Sequence, residues 1–317
     1  MLNLFRRWLF ALATGFTLVF FSELFFWGVT SPGAFIEVWL YYSIVVYAFL
    51  MLVTYFRVNS VWSLFLAGAV YGWLVEGVIV YTTYENLPIS ISDTGLSWHA
   101  LISVGIGWYA MRRALLSRYP FLVMLLASGL GIFWGAWMPF WGFEILPNVE
   151  PFTLASMSIL ALASVLPLVL SYWLQNRLTP TPFKPHKIEL GLLIVILLFF
   201  YALAVITYPF AIVVLPVLLL VAYLGLRSHK RHNYDEPSYI ATFTGTASLL
   251  NYLSILLIIP STLLSFALVT FLNLTPWPQY AIYLVIVPGG FLLFFASLVM
   301  VWYRTRQPQI VEAPAGA

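Results

Sequence analysis

The sequence predicts an all-α, polytopic integral membrane helix bundle of about ten transmembrane helices, and three observations carry the prediction. Of 317 residues, 62% are hydrophobic and 8% charged, with a mean hydropathy of +0.97; a soluble domain devotes about a quarter of its residues to charge. Apolar runs recur at the length of about 20 residues that a helix needs to cross a hydrocarbon core roughly 30 Å thick. When ten such spans are threaded, all 14 Lys and Arg residues fall on one side of the bilayer, as the cytoplasmic bias of basic residues requires.

The first span, near 8–29, follows Arg6 and Arg7. Its apolar run is too long for a secretory signal, and Ala11 and Ala13 lie too early for a cleavage site behind it, so the span is read as retained. Spans near 35–56 and 61–83 flank Arg57, a span near 93–111 ends at Arg112 and Arg113, and spans near 120–142 and 153–174 follow. From 188 to 226 the apolar run is nearly continuous, yet Lys187 and Arg227 must share a face. A turn at Tyr208 and Pro209 divides it into spans near 188–208 and 210–226. From 238 to 273 only one net crossing is allowed. A break at Pro260 then predicts a span near 238–259 and a surface segment over 261–273, before a last span near 279–303.

Threaded this way, both termini are cytoplasmic, 1–306 is a single transmembrane domain and 307–317 a short flexible tail. The chain is expected in a prokaryotic plasma (inner) membrane. Trp27, Trp98, Trp137, Trp141 and Trp277 suit one interfacial belt, and Trp8, Trp62, Trp173 and Trp302 the other. The external segments carry Glu85, Asp93, Glu144 and Glu150 but no Lys or Arg. Because topology accounts for the basic residues, a net charge of +3 does not point to nucleic acid; the expected partners are membrane lipids and a small-molecule or lipid substrate. The absence of cysteine excludes disulfides, thiolate metal sites and thiol nucleophiles. No phosphate loop, dinucleotide fingerprint, nucleophile elbow or paired-histidine haem arrangement occurs, and no cofactor is expected.

The candidate site consists of ionisable groups inside apolar sequence, where they are costly. Gly68, Gly72 and Glu76 share one helix face, as do His99, Ser103 and Gly107, and small residues at that spacing let neighbouring backbones approach. Counted from the basic ends at about 1.5 Å per residue, Glu76, His99 and Glu23 all lie roughly 20–24 Å deep. Consecutive spans joined by a short loop pack together, so Glu76 and His99 are expected in contact, with Glu23 a third member. Burial and pairing push their protonation in opposite directions, which makes proton transfer reasonable chemistry; a polar clamp fixing helix packing is the structural alternative. Ser103, Glu85 and Asp93 are candidates for binding substrate, the last two at the mouth. One histidine and two carboxylates would complete a three-ligand metal centre, but no local ligand motif supports one and no metal is expected.

Other polar features read as structure. His229 and His232 flank Lys230 and Arg231 in a solvated basic loop. Gly131, Gly135 and the tryptophans around Pro139 read as helix packing and an interfacial kink, with an aromatic wall for an apolar ligand as the alternative. Thr244, Ser248 and Asn251 read as interhelical hydrogen bonds.

For function, the sequence favours a proton-coupled carrier or permease-like protein with an outward-facing Glu/His site. Proline or glycine interruptions at Pro139, Pro167, Pro216, Pro260 and Pro288–Gly290 would suit its discontinuous helices. The alternative is a membrane-embedded enzyme acting on a lipid or isoprenoid at the outer leaflet, consistent with two halves that share no repeat. A structural or assembly subunit is the third reading. Whether the protein is an enzyme stays open at this level.

Overall fold

The computed structural model describes residues 2–28, 31–142, 151–178, 183–232 and 236–304; Glu144, Glu150, the start of the 179–187 loop and the 307–317 tail lie outside them. Apolar runs have become helices, and polar punctuation marks their ends. Helix α1 (Leu2–Val19) continues into a π-wound turn, π1 (Phe20–Leu24). Helix α2 (Pro32–Tyr55) starts with proline at its first turn behind the Ser31 cap, where the missing N–H costs nothing. Helix α3 (Val61–Leu74) opens on a reciprocal Ser60–Ser63 capping box and passes into π2 (Val75–Ile79). A connector leads to π3 (Ile91–Ala110), which ends in α4 (Met111–Leu115). Then come α5 (Pro120–Trp137), α6 (Leu154–Leu178), α7 (Lys187–Thr207), α8 (Ala211–His232), the short α9 (Tyr239–Thr242), α10 (Leu249–Ile255), α11 (Ile258–Phe271) and α12 (Trp277–Arg304).

Among the described residues nine helices are long and apolar enough to cross a membrane, and π3 with α4 makes a tenth rod. The all-α membrane bundle is as predicted, and α7 and α8 turn back at Tyr208–Phe210 as expected. Every described Lys and Arg lies at one common set of helix ends, the basic face; the opposite ends, which include the connector before π3, form the connector face.

The ninth span differs. It runs not over 238–259 but from Leu249 to Phe271. The break expected at Pro260 is present just before it, at Leu256 and Leu257 between α10 and α11, with Pro260 in the first turn of α11, but it lies within the crossing and not at its end. The segment before the crossing uses its aromatic side chains to pack the basic face. Tyr239 stacks on Tyr109 at 4.5 Å and donates its N–H to the Val58 carbonyl, while Phe243 packs edge-on against Trp108. Ser248 then caps α10, and the Asn251 amide donates to the carbonyls of Leu115 and Ser117. Hydropathy registers burial in protein and burial in lipid alike, so it could not separate this plug from a crossing. The interruptions expected at Pro167, Pro216 and Pro288 are absent, each proline sitting inside a continuous helix, as apolar surroundings permit; the one expected at Pro139 is present, where α5 gives way to a tighter 3₁₀ turn over Met138–Gly142.

Two aromatic-rich cores meet along α1, π1 and π3. One gathers α2, α3, α7 and α8 around π3, and the other gathers α5, α6, α10 and α11 around π1. Gly131 and Gly135 face the backbone of α11, where any Cβ would collide, so this pair is a packing contact. Trp98 and Trp137 are buried in protein, Trp98 edge-on to Phe26 and Trp137 stacked on it; Trp27 and Trp277 are exposed at the connector face, and Trp173 and Trp302 at the basic face.

Candidate functional site

All three predicted ionisable groups sit where the winding departs from α. Glu23 lies in π1, Glu76 in π2 and His99 in π3. Bonding from residue i to i+5 inserts an extra residue into a turn and re-aims its side chains, and such segments recur at functional positions.

The small-residue face of α3 brings two of these groups together. A Cβ on Gly68 would press on the backbone of Ala100, and one on Gly72 would collide with the Gly95 carbonyl, so α3 and π3 touch through their main chains. Glu76, one turn further along, faces π3 with its Oε1 2.6 Å from His99 Nε2. Tyr81 adopts φ 77° and reverses the chain. Thr82 thereby reaches back, and its hydroxyl donates to Glu76 Oε2. From α2, the Tyr42 hydroxyl donates to Glu23 Oε1 at 2.5 Å. One donor atom from each of Glu23, Glu76 and His99 lies within 4.8 Å of the others. Glu76 is 4% and His99 1% exposed, so solvent barely screens these charges.

The remaining predicted residues divide. Ser103 turns away and donates to the Trp98 carbonyl of its own helix at 3.0 Å. Glu85 is exposed and Asp93 half-buried, and both line a cleft of about 350 Å³ at the connector face. About half of its wall is aromatic, with Trp27, Trp137, Phe140 and Tyr280, and half polar, with Asn86, Ser90 and Gln279; Glu23, Glu76 and His99 do not line it. The cleft also takes in Thr82. The connector is anchored by Tyr84, which donates to the Gly77 carbonyl at 2.8 Å and packs on Tyr208 and Phe210; burial pushes its phenol above the ordinary range.

Below the cluster runs a packed aromatic column, beside a cavity of about 360 Å³ lined by Phe65, Ala100 and Tyr109 among others. The Tyr71 ring meets His99 edge-on at 5.5 Å, Phe49 lies against both Tyr71 and Trp108, and Trp108 against Phe243. Buried Arg112 completes this column, with its guanidinium 4.3 Å from the centre of the Phe243 ring, a cation–π contact.

Sequence reasoning missed Tyr42, Tyr71 and Thr82, and held Trp137 for the site only as part of an alternative aromatic wall. Hydroxyls on apolar helices are inexpensive enough to be common, so only Thr82, six residues past Glu76 beside a chain reversal, carried a usable signal. No protein-family model, curated protein or solved structure matches this chain, and function must be argued from the chemistry of the cluster and its cleft.

Proposed function

We propose that the protein is a membrane-embedded enzyme acting on the polar end of an amphiphilic molecule, a lipid or isoprenoid, with Glu76, His99 and Glu23 as its reactive centre. One observation carries this reading: the residue that holds Glu76, Thr82, is also part of the cleft wall. The aromatic half of the cleft's wall suits an apolar tail, and the cluster supplies polar groups to its head. A carrier would draw on the same cluster, and the helix interruptions at Pro139 and just before Pro260 suit it. Three of the five interruptions expected for it, however, at Pro167, Pro216 and Pro288, are continuous helix, and an aromatic column packs beneath the cluster.

The one-sided basic residues support a prokaryotic plasma membrane with the connector face outward, so that substrate is drawn from the outer leaflet. Reporter fusions after Arg118 and Arg231 should both report the cytoplasm; an external signal from either overturns this orientation. For activity, wild-type protein and Glu76→Gln are each reconstituted with total lipid extract of a bacterial membrane and compared by untargeted mass spectrometry. The expected result is a lipid species whose mass changes with wild type only. Redistribution of an unchanged lipid between leaflets would favour the carrier, and identical profiles and distributions would overturn both readings.

A further inference from the structure

We propose that Glu23, Glu76 and His99 form a binding site for one divalent first-row transition-metal ion, represented by zinc. This deepens the reading of the same centre and rests on it only for what the ion would do; binding itself is independent.

Charge provides the first argument. Two carboxylates and one imidazole lie within 4.8 Å of one another in the interior, and every described Lys and Arg lies at the opposite helix ends. Even with the imidazole protonated, one negative charge is left over, and like charges this close in a desolvated site do not both persist without a cation or a proton. The cluster is a receptor for positive charge that the protein does not supply.

The donor set and its support argue for a metal ion. One imidazole nitrogen and two carboxylate oxygens match the three protein ligands of an open catalytic-type centre. Ligand atoms bonded at about 2.1 Å in a tetrahedron stand about 3.4 Å apart. The observed separations, 2.6 Å between Glu76 and His99 and up to 4.8 Å across the group, bracket that value, so small side-chain rotations would admit an ion in place of the Glu76–His99 hydrogen bond. Each carboxylate is oriented from outside by a hydroxyl, Tyr42 on Glu23 and Thr82 on Glu76, as metal-ligating carboxylates are.

An orphaned group adds an independent sign. The Tyr71 hydroxyl is fully buried and has no hydrogen-bond partner. Tyr71 packs on His99 and lies within electrostatic reach of both carboxylates. A buried hydroxyl left unpaired beside the cluster calls for an ion or its water. No sequence motif announces the site because its ligands come from three separate segments of chain.

The test uses full-length protein in detergent with an affinity tag free of histidine, stripped with chelator and then dialysed against micromolar zinc. Elemental analysis should find about one equivalent in wild type, and cobalt in its place should give visible d–d absorption. Glu23→Gln, Glu76→Gln and His99→Gln should each lose the stoichiometric metal, while Glu85→Gln and a His229→Gln/His232→Gln double variant retain it. Near-wild-type Tm in chelator certifies that the variants are folded. Metal-free wild type, or metal retained by all three cluster variants, overturns the proposal. If the protein holds no metal and Glu76→Gln still abolishes lipid conversion, the enzyme reading stands with a proton in the ion's place; if metal binds but conversion survives Glu76→Gln, the enzyme reading fails and the metal site stands.

Discussion

Two clusters in this bundle are built from similar parts and differ in one respect. At the basic face Glu189 of α7 meets Arg7 of α1 and takes a hydroxyl bond from Tyr47 of α2. Deeper in, Glu23 takes a hydroxyl bond from Tyr42, five residues earlier on the same α2, and faces Glu76 and His99. The first cluster closes: one cation, one anion, and a phenol shared between them. The second holds an excess carboxylate and leaves a phenol and a ring nitrogen without partners. The first is balanced and ties three helices together as a latch, whereas the second carries an unbalanced charge, the property on which its proposed role as a site rests.

The largest expected effect breaks the latch. Glu189→Ala takes the carboxylate from the Arg7 guanidinium, leaving it the Tyr47 hydroxyl, and should cost about 1–3 kcal/mol, read as a lowered Tm, with metal content unchanged. Glu23→Gln, measured in chelator, should cost less than about 0.5 kcal/mol or raise Tm, because it removes like-charge repulsion at a site held in a destabilised arrangement. If Glu23→Gln destabilises as much as Glu189→Ala, the deeper cluster is also a latch and the contrast fails. A smaller effect sharpens the comparison: Tyr42→Phe should weaken zinc affinity by about 10-fold through loss of the outer hydrogen bond, whereas Tyr47→Phe should leave zinc affinity at wild type. Equal affinities in the two phenylalanine variants would remove Tyr42 from the site.

Much of the threading was legible because two crude physical rules, hydrocarbon thickness and the placement of basic residues, act on every span alike. The same counting put Glu23, Glu76 and His99 at one depth, and Gly68 with Gly72 indicated which face of α3 would meet a neighbour. The shift of the ninth span to Leu249–Phe271 escaped because Tyr239 and Phe243 score as apolar whether they meet lipid or Trp108. The π winding under all three ionisable residues escaped as well, since it exchanges one set of main-chain hydrogen bonds for another and leaves no mark in composition. Tyr42 and Thr82 were invisible for a related reason: a hydroxyl that can bond its own helix carries little cost, so its presence deep in a span signals nothing by itself.

The aromatic column from Tyr71 through Phe49 and Trp108 to Phe243 has an electrical consequence. Its packed rings are low in polarity, whereas the cleft opens to solvent, so a voltage across the bilayer would fall more steeply along the column than over the cleft. Moving one elementary charge through a full potential of 100 mV involves about 2.3 kcal/mol, but an ion arriving from the connector face would stop before the steep part of the drop. Occupancy of the cluster by such an ion would therefore follow the ion's concentration at the connector face and respond little to membrane potential.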